Sequence, residues 1–278
     1  MIQAARPVER PAWRRGRWEQ GARQIAEETA VSLTYNRATY AVMMATPADL
    51  EDFAVGFSLA EGVVGSADEI EEIEIVEAAS GDGIEARMWV APERAEAMGE
   101  RRRAIAGPTG CGLCGLDSLA QALRPPPRVT SGLRVAPAEI EAAVAALAPG
   151  QVLGRATRAV HAAGFWRPEG GLVALREDVG RHNALDKLAG ALARAGEDAA
   201  AGLVVMTSRI SVELVQKAAR MGAGVLVAVS APTGLALRSA EAAGITLVAV
   251  AREDGFELFT HPERIGERGS EEVVDDAA

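Results

Sequence analysis

Both cysteines of this 278-residue chain fall in one stretch, GPTGCGLCG at 107–115, as Cys111 and Cys114. Two thiols at this spacing have three chemistries open to them. Structural zinc wants four ligands, commonly two such pairs; here one pair stands with only His161, His182 and His261 as nitrogen ligands, and no permanent metal is expected. A thiol–disulfide pair sits near the start of a βαβ unit, whereas this one follows a helical pattern deep in the chain. The third is sulfur carriage, in which one thiolate takes a sulfane sulfur as a persulfide and a glycine-rich loop delivers it. A free thiol has a pKa of about 8.5, so reactivity at neutral pH needs help. The segment LDSLAQAL that follows reads as a helix whose N-terminal partial charge favours a thiolate. The run RRR at 101–103 is either a solvated face or an anion-attracting rim beside the thiols.

Three further polar clusters sit where helices leave strands. REDVGRHNALDKLAG, 176–190, crowds Asp178, Arg181, His182, Asn183, Asp186 and Lys187 into the first turns of a helix. A capped, salt-bridged surface helix explains the acids and Lys187. It does not explain Arg181, His182 and Asn183 together, and a strand-end site does. TSRISVELVQKAA, 207–219, puts hydroxyls and Arg209 at a strand end before a helix, a ready anion site or a plain N-cap with Glu213 in its first turn. SAPTGLALRSAEAAG repeats that design, and FELFTHPERI, 256–265, closes the pattern with Thr260, His261 and Arg264.

The elements that must position these residues read as two units. TAVSLTYNRATYAVMMAT, 29–46, and EEIEIVEAASGDGIEARMWVA are hairpins. Between them TPADLEDFAVGFSLAEGVV is a helix with Thr46 as N-cap and Pro47 in its first turn, and 92–105 is helical. This small α+β domain spans 24–106. A mobile CxxC loop and short helix, 107–127, ends at Pro125, Pro126 and Pro127. From 128 to 265, apolar strands alternate with helices, which implies parallel pairing covered on both faces: a three-layer α/β domain. Residues 1–23 carry six Arg against two Glu, and the tail 266–278 is acidic; both read as disordered arms.

The net charge of −10 argues against nucleic acid as a partner. No apolar run of about 18 residues is present, so no membrane span is expected, and the arginine-bearing start has no apolar signal region, so a cytoplasmic protein is expected.

Together TGCGLCG, EDVGRHNALDK, TSRISVELVQKA, SAPTGLA and THPERI resemble, in order, the motifs of the formate dehydrogenase accessory sulfurtransferases, the FdhD family. The resemblance spans about residues 30–265. It implies a sulfurtransferase that accepts persulfide sulfur from a cysteine desulfurase. The sulfur goes to the bis-molybdopterin guanine dinucleotide cofactor (molybdenum or tungsten), bound as substrate on its way to formate dehydrogenase apoenzyme. It implies a C-terminal domain similar to the cytidine deaminase fold, without the deaminase zinc signature. By motif position Cys111 corresponds to the persulfide cysteine and Cys114 to its companion. The guanine dinucleotide site maps onto Phe259, Thr260, His261, Pro262, Glu263 and Arg264. Arg181, His182 and Arg209 would meet its phosphates or guanine. His161 lacks the glycine expected before it and is left without a role. Exposed strand edges and the family's habit imply a homodimer. Two other classes stay open, a thiol–disulfide oxidoreductase and a non-catalytic chaperone that only holds cofactor.

Overall fold

The computed structural model describes residues 2–78, 81–94, 125–252 and 254–266. The cysteine loop, the 101–103 arginines, most of the helix expected over 92–105 and the acidic tail lie outside the described residues.

The chain begins with a hairpin, not the expected disordered arm. Strands β1 (Ala5–Arg14) and β2 (Arg17–Ala26) pair antiparallel through ten registered pairs without a bulge. Arg15 and Gly16 both take positive φ, 47° and 80°, the requirement of a two-residue turn whose twist matches its strands. Reading the segment by charge alone hid this turn and the period-two pattern around it.

Next come β3 (Thr29–Tyr35), β4 (Ala38–Ala45), α1 (Leu50–Glu61), β5 (Ile70–Glu77) and β6 (Ile84–Val90). The two expected hairpins form, and β6 returns parallel to β3, giving a sheet ordered β4-β3-β6-β5. Alternate residues Val31, Leu33, Tyr35 and Ile84, Ala86, Met88, Val90 point to one face, where Phe53 and Phe57 of α1 seal them. Thr46 is not the N-cap. The helix starts after Asp49, and Thr46 is drawn into a buried junction described below.

The second unit holds α2 (Pro137–Gly150), α3 (Val152–Thr157), β7 (His161–Arg167), β8 (Gly171–Asp178), α4 (Arg181–Ala195), β9 (Leu203–Met206), α5 (Val212–Met221), β10 (Val225–Ala228), α6 (Gly234–Ala243), β11 (Thr246–Arg252) and β12 (Gly255–Thr260). Its sheet runs β12-β11-β10-β9-β7-β8. The three apolar strands β9, β10 and β11 pair parallel as their composition implies, while β7, β8 and β12 join antiparallel. Val204, Met206, Leu226, Ala228, Leu247 and Ala249 pack under α4, α5 and α6. Their neighbours Leu203, Val205, Val225, Val227 and Val248 pack under Ile140, Ala143 and Leu147 of α2. Period-two strands apolar on both faces make the three-layer α/β arrangement.

The two units meet where α1 lies on α4. A Cβ on Gly56 would fall 1.7 Å from the carbonyl oxygen of Asp186, and one on Gly190 1.9 Å from that of Asp52. The helices therefore cross backbone to backbone, which only glycine permits at these two positions. Asp52, at the same crossing, receives Arg176 at 2.7 Å and also Arg194. Gly190→Ala is expected to lower stability by about 1–3 kcal/mol through overpacking. Gly132→Ala, whose methyl meets nothing within 4 Å, should stay within about 0.5 kcal/mol. Urea midpoints of the two variants check the pair.

Candidate functional site

The motif at 176–190 splits into residues that build and residues that face out. Asp178, at the end of β8, is fully buried and accepts four hydrogen-bonding groups. Its Oδ1 takes Gly180 N–H at 2.8 Å and Asn183 Nδ2 at 3.0 Å; its Oδ2 takes Thr46 N–H at 2.9 Å and Lys187 Nζ at 2.6 Å. Lys187, equally buried, also donates to Thr46 O at 2.9 Å, and Asn183 donates to Met44 O at 2.8 Å. Thr46 Oγ1 completes the exchange by accepting Val179 N–H at 3.1 Å. A buried carboxylate with a lysine opposite outcompetes helix capping for Thr46, which is why the capping expectation fails. One turn on, Asp186 is buried and chelates Lys217 at 2.7 and 2.9 Å. Burial pushes its carboxyl above the usual range while Lys217 pulls it down. A surface salt-bridge pattern is therefore excluded for Asn183, Asp186 and Lys187.

With those three turned inward, Arg181 and His182 remain half-exposed at the start of α4. They share one edge of the sheet with His161 at the start of β7 and with the segment following β9. The β7 and β9 ends are tied by Ala162 N–H to Thr207 Oγ1 at 2.9 Å and Thr207 N–H to Ala162 O at 3.0 Å. His161 feels the charges of Arg181, Arg209, Asp178 and His182; burial first, then the two arginines, lower its pKa and favour neutral imidazole. His182 Nε2 lies 3.5 Å from Ser211 Oγ and 3.8 Å from Glu213 Oε2.

Two helices begin here without a side-chain cap. The N-cap of α4 is Gly180, and Ser211 at the N-cap of α5 makes no capping bond. Two arginines, an uncapped α4 start and an Arg181 Nε that is buried with no hydrogen-bond partner among the described residues fit an anion, which would sit beside the Glu213 carboxylate, whose Oε2 is likewise buried without such a partner. The backbone nearby is strained: Val250, at the end of β11, holds φ of 54° while its N–H reaches Ser230 O at 3.3 Å.

The other expected group lies elsewhere. Thr260 pairs with Leu247, at the opposite end of β11, so Phe259, Thr260, His261, Pro262, Glu263 and Arg264 are not brought together with Arg181, His182 and Arg209. Thr260 is buried, with Oγ1 donating to Ile245 O at 2.7 Å. His261 sits 2.9 Å from both Glu241 O and Glu263 Oε1, which raises its pKa, Glu241 contributing most. Arg264 donates to Ser131 O and Thr246 Oγ1, both at 3.1 Å. Phe259, Pro262 and Glu263 are exposed.

This arrangement of motifs has relatives. The FdhD/NarQ family model matches residues 26–266. The chain belongs to the FdhD/NarQ family. It is 53% identical over 261 residues to the sulfur carrier protein FdhD of Agrobacterium fabrum, covering 94% of this chain and 96% of that one. It is 49% identical over 258 residues to the sulfur carrier protein FdhD of Cupriavidus necator, covering 93% and 89%. A crystal structure assigned as a formate dehydrogenase accessory protein of Desulfotalea psychrophila superposes with a TM-score of 0.72 at 26% identity, covering 95% of this chain and 100% of that one. Both polar clusters fall inside the FdhD/NarQ match; most of the β1–β2 hairpin precedes it. Among the described residues no helix is long and apolar enough to cross a membrane.

Sequence reasoning gave Glu213 only a first-turn role. Its carboxyl is held down to about 2, most strongly by His182, against burial that pushes it up. A serine two residues before an acid at a strand end was the available signal. A carboxylate lowered in the folded state stabilises above its ordinary value of 4.5 and loses that contribution as pH falls towards 2. The stability gap between wild type and Glu213→Gln should therefore shrink as pH falls through that window. Thermal midpoints measured across it check this; a constant gap would contradict it.

Proposed function

We propose that this chain is a sulfur carrier of formate dehydrogenase maturation, a sulfurtransferase working through a cysteine persulfide. The observation that carries the reading is membership of a family whose curated relatives at about half identity are named sulfur carrier proteins, in a chain that holds a Cys111–Cys114 pair. In the first step the Cys111 thiolate attacks the terminal sulfur of a desulfurase persulfide. The donor leaves as a thiolate, and Cys111 becomes Cys–S–SH. Cys114, three positions on, assists release: its thiolate attacks Cys111 Sγ, freeing hydrosulfide and leaving a Cys111–Cys114 disulfide. The thiol pair thus supplies the two electrons that reduce the sulfane sulfur.

The acceptor is the bis-molybdopterin guanine dinucleotide cofactor, carried as substrate in the cytoplasm before it enters apo-formate dehydrogenase. The strand-end cluster supports an anionic ligand. Arg181 and Arg209 supply fixed cations, α4 and α5 begin without a side-chain cap from Gly180 or Ser211, and neutral His161 offers a hydrogen bond without adding charge. The cluster of Phe259, Thr260, His261, Pro262, Glu263 and Arg264 stands at the far end of β11. It suits contact with another part of an elongated dinucleotide, or the same part in a homodimer.

Incubation with a desulfurase and cysteine, read by intact mass, tests the reading. Wild type should gain about 32 Da, one sulfur atom, and Cys111→Ser should gain nothing and fail to activate formate dehydrogenase while keeping its thermal midpoint. A loss of about 2 Da without prior gain would indicate disulfide chemistry instead. Loading retained by Cys111→Ser would remove the role from that residue.

A further inference from the structure

The Trp13–Trp18 pair braces the β1–β2 ladder, but the exposed area of its rings and the arginines around the turn go beyond what the ladder needs. The hairpin tip reads WRRGRW, 13–18. Trp13 and Trp18 are directly opposed, their rings 5.4 Å apart edge to face, yet 61% and 69% exposed. Arg14 and Arg17 are also directly opposed, a like-charge pair that weakens a ladder. Arg10, Arg14 and Arg15 pair with no acid among the described residues, whereas Arg6 holds Glu27 and Arg17 holds Glu19. The register sorts the side chains by face. Pro7, Pro11, Trp13, Trp18, Gln20 and Gln24 share one side, and the arginines of the strands share the other, where Arg23 anchors to Thr157 O at 3.0 Å. A two-stranded ribbon is marginal alone, and here its aromatic side has no cover.

We propose that this tip is the docking surface for the sulfur-donating protein, which takes the end of the ribbon into a cleft with one apolar wall, facing the tryptophans, and one acidic wall, facing the arginines. The proposal rests on the carrier reading above. Tryptophan and arginine are the residues that anchor protein interfaces. Prolines 7 and 11, on the same side of the alternation, remove donors from the edge of β1, so the partner lies on the tip and not as an added strand. The basic tip belongs to a chain of net charge −10. The acidic body is repelled by an extended polyanion such as a membrane or nucleic acid, while local acidic groups on a protein suit three arginines at the end of a ribbon whose other face carries two rings. Of the two proteins a carrier serves, the donor must touch it directly, because a persulfide passes from thiol to thiol. A cofactor can be handed on as a free ligand.

The test uses the full chain and a purified cysteine desulfurase. Binding is measured at low and high salt for wild type, Trp13→Ala/Trp18→Ala and Arg14→Glu/Arg15→Glu/Arg17→Glu. Loading from glutathione persulfide, followed by mass, reports whether the thiols still work without a docked donor. Each variant should bind the desulfurase about tenfold more weakly or worse. Both should load from glutathione persulfide as wild type does and keep its thermal midpoint. Wild-type affinity should fall with salt, and that of the triple variant should not. Equal affinity in all three chains overturns the proposal and leaves the carrier reading intact. So does a tip whose loss changes only self-association, or only binding to vesicles containing phosphatidylglycerol. A wild-type chain that loads from neither donor overturns the carrier reading and this proposal with it.

Discussion

Lys187 and Asp178 face each other at 2.6 Å with no solvent contact, between the two units of the chain. Burying two charges costs several kcal/mol per ion unless each remaining polar position is satisfied. Here the satisfaction comes from across the junction. Thr46 contributes its N–H, its carbonyl and its hydroxyl, and Asn183 brings in Met44. Neither unit can keep its half of this network in an apolar interior without the other, so the pair fixes how β4 and the start of α1 sit against β8 and α4. The glycine crossing at Gly56 and Gly190 follows from that placement, since α1 must lie close enough on α4 for Thr46 to reach Asp178.

The same constraint shapes the candidate site. Asn183, Asp186 and Lys187 face inward from α4, so Arg181 and His182, on the first turn, are left at the strand ends beside His161 and the β9–α5 connection. A motif dense in polar residues thus does two jobs at once. Its buried members set the orientation of the helix, and its exposed members inherit a position. Glu213 and Ser211 hold the His182 ring from the neighbouring helix, so the cluster is braced from two elements rather than hung on one loop.

Much of this was legible from pattern. Apolar runs such as LVVM and VLVA could only be strands buried on both faces, and the hairpins around Asn36-Arg37 and Gly81-Asp82-Gly83 announced themselves by turn chemistry. What was not legible depended on contacts distant in sequence. Thr46 reads as an N-cap because its competing partner, Asp178, is 132 residues away. Lys187 reads as a surface charge because burial of a lysine is disfavoured unless a specific acid awaits it. Residues 1–23 read as an arm because charge was weighed before the Arg-Gly turn. The separation of His261 and Arg264 from Arg209 came from the antiparallel return of β12, which local pattern does not fix.

The division of labour inside 176–190 is the claim on which the account turns, and calorimetric titration with a guanine nucleotide, paired with thermal midpoints, tests it most directly. Arg181→Ala and Arg209→Ala each remove a charge-assisted contact, worth about 1.5–3 kcal/mol, and should weaken binding about tenfold or more with midpoints unchanged. Asn183→Ala removes buried hydrogen bonds to Met44 and Asp178 and should lower the midpoint while leaving nucleotide affinity unaltered. Arginine variants that bind as wild type does, or an Asn183→Ala that loses affinity without losing stability, would contradict it.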